Sequence, residues 1–312
     1  METIFINREN IKKFNQIQDI VVAIGQFDGV HIAHQQLIKR VRDIAKERNL
    51  KSGIITFNPH PDYVLKKRNE NTYLTPLQEK IEFIEKLNLD YLIIIDFNEE
   101  VASLNPRDFV QTYLLPIGVK VVVCGYDFRY GAGGQGNINT LKKDADNLID
   151  VEVISQISYH HEKVGSTLIR DLLQQGKVDE VYHILGRYYQ ISGTVVSGNK
   201  IGRSLDIPTA NLQIRDDFAD VLPGVYGVLV TVYDKRYLGL CNLGHNPSFN
   251  YHPTMRLETH IIDFDEDIYG QIITIEFVMR IRSEQKFNSK EEFVEQIKRD
   301  KEEVLTKMKH LI

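Results

Sequence analysis

The chain of 312 residues has little cysteine, no long apolar run and no concentrated block of positive charge. Its two cysteines, Cys124 and Cys241, each lie inside an apolar, strand-like run, which excludes a disulfide framework or a cysteine-rich metal centre and leaves buried thiols. Without a run of about 18 uncharged apolar residues, no membrane-crossing helix is expected. The opening METIFINRENIKKF has no basic-then-apolar leader with a small-residue cleavage site, so a cytoplasmic location is expected. A formal net charge of −5 without a long basic block argues against nucleic acid as a partner. Internal repeats and low-complexity linkers are also missing. With 42% apolar and 26% charged residues, the chain is long enough for two domains with full cores.

Two periodicities divide it. From about residue 20 to 185, β-branched runs such as IVVAIGQF, KSGIITF, DYLIIIDF and VKVVVCGYDF alternate with helical patterns such as QQLIKRVRDIAKERN, LQEKIEFIEKLN and PRDFVQTYLL. That alternation predicts a Rossmann-like α/β domain with a parallel sheet, because parallel strands need crossovers and are buried on both faces. From about 188 to 282, QISGTVVSG, GVYGVLVTVY, RYLGLCNLG, RLETHIIDF and GQIITIEFVMRI are separated by Gly, Pro, Asn and Asp, the pattern of an antiparallel barrel or sandwich. The last segment, SKEEFVEQIKRDKEEVLTKMKHLI, opens with a serine cap and early acids and predicts one closing helix. The joint falls near HILGRYYQ, giving domains 1–185 and 186–312.

In GQFDGVHIAH, residues 25–34, His31 and His34 fall where the first strand of that alternation hands over to a helix. This is the crevice at the carboxyl ends of parallel strands where nucleotides bind. Gly25 and Gly29 let the backbone approach a phosphate, the helix N-terminus favours anions, and Phe27 and Asp28 complete the loop.

The same stretch resembles the GxFDGVHxGH signature of nucleotidyltransferases. With TFNPHP (56–61), GYDFRYG (125–131), GSTLIR (165–170), GRSLDIPTANL (202–212), PGVYGV (223–228), NLGHNPSF (242–249) and ETHIIDFDEDIYG (258–270), the chain resembles the bacterial bifunctional riboflavin kinase/FMN adenylyltransferase family nearly end to end. The resemblance implies an N-terminal domain that transfers AMP from ATP to FMN, giving FAD and pyrophosphate. It also implies a C-terminal riboflavin kinase barrel that uses ATP and Mg2+. In the first domain His31 and His34 would donate hydrogen bonds to the ATP phosphates. Ser166 and Thr167, with Arg170 or Lys163 as counter-charge, would hold the β- and γ-phosphates at another helix N-terminus, and a helix cap at Ser166 is compatible with that role. Asp127, Phe128 and Arg129 would shape the flavin and nucleotide site, with the glycines that follow permitting a flexible cover. His60 reads equally as structural or functional.

In the second domain Glu258 stands at the position of the family's base for the ribityl hydroxyl, and its pattern reads equally as an exposed strand residue. Thr209 and Asn211 match the residues that hold Mg2+ and phosphate, supplying the neutral oxygens this hard ion accepts, while Gly198, Gly202 and Arg203 would face the ATP phosphates. Three departures stand out. Ala33 replaces a glycine, Gly165 replaces a serine, and Leu205-Asp206-Ile207 stands where the family has Leu-Gly-Phe. The last puts a carboxylate near the ATP phosphates and supports an alternative, an FAD synthetase whose barrel no longer phosphorylates riboflavin. A nucleotide-binding protein without catalysis, or a transferase for another phosphate, is a third reading; the chain lacks the second lysine-rich loop and basic domain of a tRNA-charging enzyme.

Overall fold

The computed structural model describes all residues except 15, 16, 18, 70, 198–206, 215, 216 and 247–253. The chain forms two compact units, Met1–Ser166 and Thr167–Ile312.

The first unit is built on six parallel strands. They are β1 (Glu2–Ile6), β2 (Ile20–Ile24), β3 (Lys51–Asn58), β4 (Tyr91–Asp96), β5 (Val119–Gly125) and β6 (Asp150–Ile154), in the order β1-β4-β3-β2-β5-β6. Helices α1 (Ile32–Arg48), after β2, and α2 (Leu77–Glu85), between β3 and β4, are its longest crossover helices. All five residues of β2 are buried, and their alternation divides them between two cores. Val21 and Ala23 pack with Leu37, Ile38 and Val41 of α1, whereas Ile20, Val22 and Ile24 join Ile93, Phe109 and Val122 on the other face. A strand buried on both sides is what a continuous apolar run encodes.

The second unit begins at Thr167, inside α3 (Ser166–Gln174), and continues with α4 (Val178–Leu185). Its barrel strands are β7 (Tyr189–Val196), β8 (Ala210–Ile214), β9 (Gly224–Val232), β10 (Lys235–Asn246), β11 (Thr254–Ile261) and β12 (Ile272–Arg282). They close in the order β7-β8-β11-β10-β9-β12, with β12 returning to pair antiparallel with β7. Of barrel and sandwich, the barrel is the one formed. Helix α5 (Lys290–Met308) ends the chain as expected: Ser289 Oγ accepts from the Glu292 amide at 3.1 Å.

Two details depart from the periodicity. PRDFVQTYLL is one α-helical turn, Pro106–Phe109, running into a π-helical turn, Val110–Leu114. Strands β1, β6 and β8 are not among the runs that the periodicity picks out; β8 begins inside PTAN, so Asn211 is a strand residue. Both cysteines are free, and burial pushes each thiol up to about 12.

Candidate functional sites

The loop leaving β2 carries unusual backbone. Phe27, Gly29 and Val30 have φ of 51°, 85° and 42°, a region that L side chains avoid and a β-branched valine especially so. Tertiary contacts over-determine this conformation. Phe27 and Val30 are fully buried, and Gln35 Nε2 donates to the Val30 carbonyl at 2.9 Å. Asp28, also buried, accepts at Oδ1 from the amides of Leu74 (2.8 Å) and Thr75 (3.2 Å). Its own carbonyl accepts from Ser166 Oγ at 2.8 Å, which ties GSTLIR to the histidine loop.

The loop delivers His31 to the N-cap of α1, where Nδ1 accepts from the His34 amide at 3.4 Å. That bond makes Nδ1 an acceptor, so the neutral ring carries its proton on Nε2. The His34 ring stacks on His31, centroids 3.6 Å apart and planes 15° from parallel, and lies 4.8 Å from the Phe27 ring. Among the described residues His34 Nδ1 is a buried ring nitrogen without a hydrogen-bond partner. Burial, then the neighbouring His31 imidazole and the Lys80 ammonium, hold its imidazole well below the ordinary histidine value, so it is neutral at pH 7.

β5 neighbours β2 in the sheet, so the GYDFRYG loop leaves the same carboxyl edge. There Lys163 forms an ion pair with Asp127, both about half exposed, and its ammonium lies 5.4 Å over the Tyr126 ring. An exposed pair of this kind contributes little stability and is readily exchanged for an anion. Phe128 stacks on Tyr130 at 5.6 Å, while Arg129 is exposed. Gly131 and Gly136 are packing positions, where a Cβ would meet Pro106 N at 2.7 Å and the Tyr130 ring at 2.6 Å respectively. His60 caps the short helix Pro61–Val64, accepting from the Asp62 amide at 3.1 Å. Thr167 and Arg170 lie on α3, in the second unit.

In the barrel, Asn211 of β8 pairs directly with Glu258 of β11. Ile207, Thr209, Asn211 and Glu258 line a cavity of about 300 Å3 whose far wall includes Phe287 and Phe293. Thr209 and Asn211 also line a second cavity of about 380 Å3, bordered by Phe264, Asp267 and Tyr269. These two residues therefore stand between two spaces of ligand size. His260 Nδ1 is 2.9 Å from the Pro208 carbonyl and braces that edge; Arg256 pairs with Glu258 at 3.1 Å. Burial lowers the His260 value despite this bond. Gly198, Gly202, Arg203 and Asp206 lie outside the described residues.

Sequence reasoning missed Thr56, Gln35 and Lys80 behind the histidine loop, and Arg256, Phe287 and Phe293 around the barrel cavity. A lysine inside the apolar period of LQEKIEFIEKLN was the one available signal.

A strained, anion-ready loop at the carboxyl edge of a parallel sheet, joined in one chain to a closed barrel with oxygen donors between two cavities, defines a two-domain nucleotide-using enzyme. A family model of FAD synthetase matches residues 13–168 and one of riboflavin kinase matches residues 185–308. The bifunctional riboflavin kinase/FMN adenylyltransferase of Bacillus subtilis (strain 168) is 37% identical over 308 residues, covering 98% of each chain. The protein of that name from Escherichia coli (strain K12) is 32% identical over 283 residues, 90% of each. A solved structure described as a macrolide-efflux protein from Streptococcus pneumoniae is 31% identical with a TM-score of 0.89, covering 97% of this chain and 98% of that one. Among the described residues here, no helix is long and apolar enough to cross a membrane. The chain belongs to the bifunctional riboflavin kinase/FMN adenylyltransferase family.

Proposed function

We propose that residues 1–185 transfer AMP from ATP to FMN and that residues 186–312 phosphorylate riboflavin to FMN, so that the chain carries riboflavin through to FAD. The observation that carries the reading is the presence, in one chain, of the stacked His31–His34 pair on its strained loop and the Thr209–Asn211–Glu258 edge between two cavities.

In the first reaction an FMN phosphate oxygen attacks the α-phosphorus of ATP and the bond to pyrophosphate breaks. The nucleophile is already anionic, so the protein's task is to align the reactants and stabilise charge on the leaving group. His31, protonated at Nε2, and neutral His34 donate to the triphosphate. Gly25, Phe27, Asp28 and Gly29 shape the phosphate cradle, and Ser166, bonded to the Asp28 carbonyl, extends it. Lys163 exchanges Asp127 for phosphate, and Asp127, Phe128 and Arg129 border the flavin side.

In the second reaction Glu258 accepts the proton of the ribityl hydroxyl as that oxygen attacks the γ-phosphorus of ATP. The donor set at this edge, a hydroxyl, an amide oxygen and a carboxylate, suits a hard divalent cation, so Thr209 and Asn211 would hold Mg2+. A Mg2+ ion held by these residues would supply positive charge against the phosphates. The aromatic cavity with Phe287 and Phe293 takes the flavin and the other the nucleotide. The alternative of a silent barrel rests on the Asp206 and Ile207 departures, and the pairing of Asn211 with Glu258 favours a working one. ATP, FMN and riboflavin are the partners, without nucleic acid, in the cytoplasm.

Chromatography of products from purified protein with ATP and Mg2+ tests this. Riboflavin gives FMN and FAD, and FMN gives FAD. FAD from FMN with riboflavin untouched would establish the silent-barrel alternative, and no product from either would overturn both.

A further inference from the structure

Lys80 is a lysine with 1% of its surface exposed, on α2, in a domain that has ample apolar residues to fill such a position. Taking an ammonium out of water is costly unless it is paired, so a requirement for packing alone would be met by leucine or methionine. Its Nζ donates to the Gln26 carbonyl at 3.0 Å, and the same carbonyl accepts from Thr56 Oγ1 at 2.9 Å. Gln26 immediately precedes the positive-φ residue Phe27, so these two donors grip the loop where it turns away from β2.

Four titratable groups surround the ammonium. Asp28, on the loop, attracts it; the Tyr73 ring lies 5.6 Å away; His34, in the first turn of α1, is repelled by it, and His31 stacks on His34. The Asp28 carboxylate is fixed from the other side by the amides of Leu74 and Thr75. Lys80 thus sits where the loop's carbonyl, its buried carboxylate and the histidine pair are all within its influence.

We propose that Lys80 is a positioning residue for adenylyl transfer: its buried ammonium, gripping the Gln26 carbonyl beside Thr56, holds the histidine loop in reactive shape before ATP binds. The inference rests on the assignment of His31 and His34 to that reaction. Burial pulls the Lys80 ammonium down to about 8, partly offset by Asp28, so the charge is present at neutral pH and is lost on the alkaline side.

The test measures kcat and KM for FAD formation from FMN and ATP with Mg2+, between about pH 6 and pH 9.5, in the full-length protein and in K80Q and K80M. K80Q retains a donor for Gln26 and lacks the charge; its kcat is expected to fall about tenfold with KM for FMN within about twofold. An alkaline limb near pH 8 is expected in the wild type and should be absent from both variants. The imidazole resonances of His34 should titrate at higher pH in K80Q, a change that lost packing would not produce. A kcat within about threefold of wild type, with the His34 midpoint unmoved, overturns the proposal. Where neither variant folds, the wild-type profile decides: a limb near pH 8 supports it and a flat profile overturns it. H31A separates this from the underlying assignment. Full FAD synthesis in H31A would remove the site itself, whereas loss in H31A with unimpaired K80Q would remove only the role of Lys80.

Discussion

The stacked histidines make the first site sensitive to acid. Burial, with a second imidazole 3.6 Å away between centroids and an ammonium nearby, makes the His34 ring resist protonation. His34 has its folded value held below the ordinary 6.5, chiefly by burial, so as the pH falls below about 6.5 the unfolded chain binds a proton that the folded chain refuses. Stability is therefore full above that pH and declines as pH falls toward the folded value. His260 contributes in the same direction. The expected outcome is a lower urea midpoint at about pH 5 than at about pH 7, with a smaller difference in an H34Q/H260Q double variant; an equal difference in that variant would show that other groups carry the acid sensitivity. The histidines were legible in the sequence because their strand–loop–helix setting is local. Lys80 and Thr56 were not, since they reach Gln26 from 54 and 30 residues away and local spacing carries no trace of such contacts.

At the level of elements, α5 walls the barrel cavity with Phe293 and Ile297 and is held there by a buried ion pair. Asp300, 2% exposed, accepts from Arg282 of β12 at 2.8–3.2 Å and from Gln296 Nε2 at 2.8 Å. Removing one partner of such a pair strands the other charge in a low-dielectric setting and costs about 3–5 kcal/mol. D300A should lower the urea midpoint accordingly and raise KM for riboflavin, with KM for FMN in adenylyl transfer unchanged; an equal rise in both would show that the helix does not act through the flavin cavity. The helix itself was plain from its serine cap, early acids and apolar period. The bond between Arg282 and Asp300 was not, because an aspartate inside a charged helical stretch is indistinguishable in sequence from its solvated neighbours. Strand β8 was hidden for a related reason: Pro208 and Asn211 carry turn character locally, and only pairing with β7 and β11 makes the segment extended.

For the molecule as a whole, the two sites draw on separate sets of residues, the histidine loop after β2 and the Asn211–Glu258 edge of the barrel, so each reaction should be removable without the other. H31A removes a phosphate donor and a cap whose bond is already long at 3.4 Å, so FAD formation should be lost for about 1 kcal/mol of stability or less, with riboflavin phosphorylation intact. E258A removes the base and should leave FAD formation from supplied FMN intact. Neither variant alone then makes FAD from riboflavin. A mixture of the two should, since H31A supplies FMN that E258A adenylylates, and the lag before FAD appears should shorten as the concentration of either variant rises. Retention of the lag-free wild-type rate at every dilution would mean that FMN does not pass through solution between the variants. A mixture that stays silent while each variant keeps its own reaction would mean that FMN made in the barrel is not released, and that the wild-type chain uses it before it escapes.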